Sequence, residues 1–480
     1  MRNVDSSRFR IPSEMSLPAP SSAGGALDSS IRFGEASTTI LKGLLNWFRE
    51  TKHRPSDFQA TTPAQLDSNA TSPAQLDRPR EGYTYTHPIM PCALRASLIF
   101  LATAIVAAAA LASSGCDVAT KRVKCDGTNE DDTATLQAAL NACHDLILPA
   151  GKTCVTYPLT LSSNFVLTIP ANATLKAGAS IHWPNASETH ALPLLTAPVG
   201  TTNLSIRGDG TIDGSGAQWW GGCCRPHMLD LPGATDVLLE SVFMLNSPDF
   251  FAELHGTNIR VFGITIRGAD YKVAPNTDGI DVQGTNIHIR GVDVSNGDDS
   301  ICIKSPSSDV LVEDSIVRQG NGLVVGTGGH TNITNITFRN CTAIHTVYGC
   351  HIKFKAGQKG EPGVSNVTFE DINIISPTKY AIGINQNGQG VEEQRWRYAT
   401  SSGSDVPINN ITYRRIRAQL EKGKKRGGQF TCNPGSRLAC RGIVFEDVDL
   451  GDDAECQFEN TYGKGKNVKP LSCVPPEHQN

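Results

Sequence analysis

Three acidic residues of this chain fall in two short blocks whose spacing could bring them to one place. Asn276-Thr277-Asp278-Gly279 is followed 20 residues after Asp278 by Asp298-Asp299, then by Gly320-Asn321-Gly322 and His351-Ile352-Lys353. Carboxylates crowded together repel, so at least one keeps its proton near neutral pH, as a general acid must. A second, ionised carboxylate can activate water on the opposite side of a glycosidic bond. Asn276, Asn321 and His351 add hydrogen-bonding groups. Lys353, with Lys304 and Lys355 as further cations, would neutralise an acidic sugar ring. Taken singly, each block also has a purely structural reading: Asn-Thr-Asp-Gly makes a good Asx turn and Gly-Asp-Asp a tight corner.

The chemical reading needs a scaffold that superimposes these blocks. One is visible as a repeat. Segments opening at Asn203, Asp236, Asn258, Asn286, Asp309, Asn335, Asn366, Asn410 and Gly442 each begin mostly with Asn or Asp and then alternate apolar and polar residues. Alternation marks strands with one buried face. Starts spaced 22 to 44 residues apart mark units that cannot bury their inner face alone and must stack. Ile, Val and Thr dominate, and no helical return joins the strands, which excludes a leucine-rich repeat. The expected fold is all-β: a right-handed parallel β-helix solenoid, with longer spacings looped out. The segment from Asp131 to Cys143 (DDTATLQAALNAC) is the one good helical pattern nearby, and is expected to form a short N-terminal helix capping the open end. Stacked coils lie about 4.8 Å apart. On such a rod the four blocks form one polar face.

The first 89 residues are rich in Ser, Pro, Asp and Arg, and TPAQLD at Thr62 recurs as SPAQLD at Ser72. Such a segment cannot bury enough apolar surface to offset its ordering entropy, so 1–89 is expected to be disordered or an extension of the gene model. Met90, Arg95, the apolar run Leu98–Leu111 and Ala110-Leu111-Ala112 form a signal-peptide pattern over 90–115, with an uncleaved anchor near Leu98 as the rival. The solenoid domain then occupies 116–480.

The 14 cysteines fit an oxidising compartment; locally spaced candidates are Cys125 with Cys143, Cys341 with Cys350, Cys432 with Cys440, and Cys456 with Cys473. No CxxC or HExxH occurs, so no metal site is expected. Sequons at Asn172, Asn185, Asn203, Asn332, Asn335, Asn366 and Asn410 fit a secreted glycoprotein, although several coincide with the repeat's own Asn. A net charge of −4 argues against a nucleic-acid partner.

The blocks carry a resemblance. NTDGID from Asn276, GDDSICIKS from Gly297, GNGLVVG from Gly320 and HIKFK from His351 are similar to the four signature blocks of glycoside hydrolase family 28, the polygalacturonase and rhamnogalacturonan hydrolase family. IDGSGAQWW from Ile212 and DGTNEDDTATLQAALNAC from Asp126 also resemble it. The resemblance implies a monomeric, extracellular or cell-wall enzyme without cofactor or metal. It would hydrolyse α-1,4-galacturonosyl linkages of an anionic pectic polysaccharide with inversion. Asp298 would be the general acid, and Asp278 and Asp299 would activate water. Lys353 would bind a galacturonate carboxylate, beside Asn276, Asn321 and His351.

Two positions depart from the polygalacturonase pattern. Asn321 replaces the His of Gly-His-Gly, and His351 replaces the Arg of Arg-Ile-Lys. Asn cannot carry charge as His can, and His is a weaker, pH-dependent partner for a carboxylate than Arg. Rhamnogalacturonan hydrolases resemble the chain in lacking that histidine and in continuing into Lys-Ser-Pro, as Lys304-Ser305-Pro306 does, although they usually carry Asp-Glu at the acidic pair. Hydrolysis of rhamnogalacturonan or a substituted galacturonan is therefore the alternative. A catalytically silent carbohydrate-binding solenoid is a further one.

Overall fold

A computed structural model of the chain describes residues 116–117, 125 and 131–477, apart from 185–190, 327–331, 356, 359, 387–403 and 436. The expected extension over 1–89, the signal-like run over 90–115 and Asn185 lie outside the described residues.

The residue that opens each repeat turns a corner. Asn203, Asp236, Asn258, Asn286, Asp309, Asn335, Asn366 and Asn410 all have φ between 53° and 59°, and Gly442 has φ 64°. Asn and Asp enter this left-handed region at less cost than other side chains, and their short polar groups can bond locally. Here they bond between coils: the Asn258 amide donates to Asp236 Oδ1 at 2.9 Å, and the Asn286 amide to Asn258 Oδ1 at 2.6 Å. The Asn of four sequons (203, 335, 366 and 410) thus has a structural reason to be there.

Between corners the chain is extended. Among the described residues 27 strands join one continuous sheet, and the pairings are parallel, coil upon coil, as a right-handed parallel β-helix requires. Period-two alternation sends one column inward. Val237, Ile259, Ile287, Val310, Ile336, Val367, Ile411 and Ile443 stack in register along the axis, all at 2% exposure or less. Two residues on, Phe338, Phe369, Tyr413 and Phe445 form an aromatic column whose ring centroids lie 4.9 to 5.3 Å apart. Each such side chain contributes roughly 1.5–3 kcal/mol on burial.

The expected capping helix is present as α1, Thr133–Ala142, with Leu136, Ala139 and Leu140 buried. Asp132 at its start accepts the backbone N–H of Val155 at 3.1 Å and of Cys125 at 3.4 Å, tying the helix to the first coils.

Disulfides depart from the sequence expectation in two places. Cys125 pairs with Cys154 rather than Cys143, which is itself disulfide-bonded; Cys432–Cys440 and Cys456–Cys473 form as expected. Cys341 and Cys350 are free and buried. They flank the corner at His345 (φ 55°), so Cys341 stacks over Ile372 and Cys350 over Ile382, on different strands of the coil. No described helix is long and apolar enough to cross a membrane.

Close stacking makes some glycines obligatory. Gly284 has φ 140°, and a Cβ there would sit 1.7 Å from the Gly256 carbonyl oxygen of the neighbouring coil. Gly284→Ala is expected to destabilise the protein by about 3 kcal/mol or more, because both backbone strain and overlap with main chain must be relieved. Urea unfolding checks this; a midpoint equal to wild type would contradict the tight packing.

Candidate active site

Seven strands build the relevant face: β1 Leu229–Glu240, β2 Ala252–Phe262, β3 Ile280–Arg290, β4 Ile301–Glu313, β5 Leu323–Gly326, β6 Tyr348–Lys353 and β7 Tyr380–Asn385. Ile280, Ile301, Leu323 and Cys350 are in register. The residue two places before each therefore occupies the same station in successive coils. Those residues are Asp278, Asp299, Asn321 and Tyr348. The corner backbone is held by bonds between coils, Gly279 N–H to Asp299 O at 2.8 Å and Asn321 N–H to Asp298 O at 2.7 Å. Buried Asn296 fastens it from beneath, donating to the carbonyls of Thr277 and Asp299 at 2.9 and 2.8 Å.

The structure brings the three carboxylates together: Asp278, Asp298 and Asp299 each place an oxygen within 4.8 Å of the others. Their surroundings differ. Asp278 is 5% exposed, and its Oδ1 has no hydrogen-bond partner. Burial, reinforced by the charges of Asp281, Asp298 and Asp299, pushes its pKa well above the ordinary carboxylate value. Asp299 is 3% exposed, but Lys353 Nζ donates to its Oδ1 at 2.6 Å and Asn321 Nδ2 to the same oxygen at 2.8 Å. Burial alone would raise its pKa. The Lys353 charge and these hydrogen bonds outweigh burial and hold it below the usual value. Asp298 is the most open of the three. It accepts from Asn321 Nδ2 at 2.8 Å, its own neighbour's N–H (Asp299) at 2.9 Å, and Asn276 Nδ2 at 3.4 Å. One anionic carboxylate, one that retains a proton and one that reaches the surface can together protonate a leaving group and activate water.

Lys353 pairs in register with Gly326 on β5, where a Cβ would meet the Lys353 carbonyl oxygen at 1.8 Å, and its ammonium reaches Asp299. His351 differs from expectation. It shares a strand face with Lys353, yet it is 2% exposed and stacked on Tyr348 with ring centroids 3.8 Å apart. Neither ring nitrogen has a hydrogen-bond partner, and burial holds its pKa well below the ordinary value. It is a neutral floor residue in this structure and offers no cation to a substrate carboxylate. Trp219 and Trp220 serve packing: Trp219 meets Trp183 edge-on at 5.6 Å, and Trp220 Nε1 donates to Ser247 O at 3.0 Å.

Sequence reasoning overlooked an adjoining ionic layer. Asp230, Glu253 and Asp281 are in register on β1, β2 and β3. Fully buried Asp281 is ion-paired with Lys304, whose ammonium also lies 4.5 Å over the Phe250 ring. Glu253 meets His227 Nδ1 at 3.1 Å and His255 Nε2 at 3.3 Å. Burial opposes charging of His227, but the hydrogen bonds it donates to Asp249 and Glu253 win and raise its pKa to about 9. The acidic residue one place into each strand, recurring over three coils, was the available signal.

Comparison with known proteins agrees with this architecture. The family model described as "Glycosyl hydrolases family 28" matches residues 141–473. A polygalacturonase of Cryptomeria japonica is 28% identical over 291 residues, covering 55% of this chain and 53% of its own. A probable rhamnogalacturonase A of Aspergillus oryzae is 27% identical over 271 residues, covering 55% of each. The chain thus spans about half the length of these relatives. Among solved structures, the polygalacturonase from Erwinia carotovora superimposes with a TM-score of 0.58 at 23% identity, covering 71% of this chain and 95% of that one. With the matched model spanning both the coils and the acidic corner, the chain belongs to glycosyl hydrolases family 28.

Proposed function

We propose that the protein is an extracellular pectin-degrading glycoside hydrolase cleaving α-1,4-galacturonosyl linkages with inversion. The observation that carries this reading is the differentiated carboxylate trio beside Lys353. Asp298, the accessible member, donates a proton to the leaving oxygen. With the shared proton on Asp298, ionised Asp278 and Asp299 hold and activate the attacking water from below, and Lys353 both fixes Asp299 and meets the uronate carboxylate. Asn276 and Asn321 orient Asp298. The proton belongs to the trio as a set rather than to one oxygen. The polygalacturonase relatives and the disulfides Cys125–Cys154, Cys432–Cys440 and Cys456–Cys473 support substrate class and compartment.

Inverting pairs usually stand roughly 6.5–9.5 Å apart, wider than this cluster, so stereochemistry is a direct test. Proton NMR of the first product should show the β anomer. An α anomer appearing first would overturn inversion and point to a covalent intermediate. Reducing-end assays on polygalacturonate should show turnover, and inactivity on both polygalacturonate and rhamnogalacturonan would sink the enzymatic reading. Two observations favour the second polymer: neutral, buried His351 offers no cation to a uronate carboxylate, and Asn321 stands at the family's histidine position. Activity confined to rhamnogalacturonan would select that alternative.

The same groups set the pH response. With Asp299 held low and Asp278 held high, kcat/KM should follow a bell. Its acid limb reports protonation of Asp299, below the ordinary carboxylate value. Its alkaline limb reports loss of the shared proton, above it. A profile rising monotonically to alkaline pH would contradict the assignment.

A further inference from the structure

Between Trp220, anchored to Ser247, and Arg225 lies a short exposed loop, Gly221-Gly222-Cys223-Cys224. Arg225 is anchored in turn: its guanidinium donates to Pro248 O at 3.0 Å and Pro275 O at 2.7 Å and pairs with Asp249 at 2.8 Å. The loop tip is thus pinned at both ends, one of them against the residue preceding Asn276. Within it the Cys224 and Cys223 sulfurs lie 3.0 Å apart. That is inside the roughly 3.5–4.0 Å at which unbonded heavy atoms pack. Cys224 takes the left-handed conformation, φ 61°, after Gly221 at φ 88°. Cys223 is exposed and Cys224 half-buried, so a redox reagent can reach both.

We propose that Cys223 and Cys224 are joined to each other in a vicinal disulfide that closes the tip of this loop. Two S–H bonds break and one S–S bond forms. Two protons and two electrons pass to a disulfide oxidant, oxidised glutathione or a protein disulfide of the secretory route, which leaves as two thiols. Consecutive Cα atoms stand about 3.8 Å apart, below the usual range for bridged cysteines of roughly 4.4–6.8 Å, so the ring is strained and the more readily reduced. The same chain already bridges Cys125 and Cys154 with their Cα atoms 3.9 Å apart. Cys302, Cys341 and Cys350 are buried on the coils, whereas Cys223 at the loop tip is exposed.

The test is alkylation with N-ethylmaleimide in guanidinium without reductant, on protein secreted by a eukaryotic host, followed by peptide mass spectrometry. Cys302, Cys341 and Cys350 should each label and serve as internal controls. The peptide holding Cys223 and Cys224 should remain unlabelled, be lighter than its dithiol form by two hydrogens, and gain two labels after reduction. In Cys223→Ser, Cys224 should label without reductant. Labelling of both tip cysteines while Cys125–Cys154, Cys432–Cys440 and Cys456–Cys473 remain closed would overturn the proposal, as would any other adduct or a cross-link from this peptide to another cysteine.

Discussion

Asp298→Asn is expected to lower kcat by about 10²–10⁴-fold while leaving the thermal unfolding midpoint close to wild type. The size follows from removing a positioned proton donor. The selectivity follows from location: Asp298 is the most solvent-open of the trio and sits at a corner, so the near-isosteric amide removes no core contact. A leaving-group series separates the acid role from simple disruption. A galacturonide with a nitrophenol leaving group needs little protonation, so D298N should lose far less activity on it than on the polymer. Equal losses on both would assign the proton donation elsewhere, with Asp278, whose pKa burial raises, as the next candidate.

How much of this was legible in the sequence follows from the physics of stacking. The coil was readable because a buried column in a parallel sheet demands strict alternation, and Asn or Asp at each left-handed corner marks the phase. That phase put the blocks at Asp278, Asp298-Asp299, Asn321 and His351–Lys353 on one polar face, and the strand register adds that Asp278, Asp299 and Asn321 share a station. Their unequal protonation was not readable, since it depends on the Lys353 ammonium meeting Asp299 and not Asp278. His351 was misjudged for a related reason. Alternation places it on the same face as Lys353, but the ring of Tyr348, at the start of the same strand, stacks on it, and no periodicity reports such a contact. The Asp281–Lys304 pair was not readable because the two residues lie on neighbouring coils, β3 and β4, and only their stacking brings them together. Disulfides followed the same rule: Cys432–Cys440 closes a loop within reach, whereas Cys341 and Cys350 are separated by a corner that sequence distance does not reveal.

Lys353→Met should be the most destabilising of the site substitutions, by about 3–5 kcal/mol, because it leaves Asp299 buried with an uncompensated charge. Asp299 is 3% exposed, and the Lys353 side chain is only 17% exposed, so solvent cannot replace the lost partner. The pH dependence identifies the cause. Asp299's pKa is depressed in the fold, so its contribution is present above the ordinary value of about 3.9 and fades as pH falls through the folded value. Lys353's is raised, so its contribution is full below about 10.4 and fades as pH rises through the folded value. Between those limits the wild type holds its full advantage. In K353M the Asp299 pKa should climb, and the loss of stability should shrink as acid neutralises that carboxylate. Asp299→Asn added to K353M should recover most of the loss, since a neutral amide can still accept from Asn321, while activity stays abolished because the base is gone. Urea unfolding of the two single variants and the double variant across pH measures the coupling. If the double variant is no more stable than K353M, the pair is not what holds Asp299 ionised, and the arrangement of charge proposed for the water-activating side of the site fails with it.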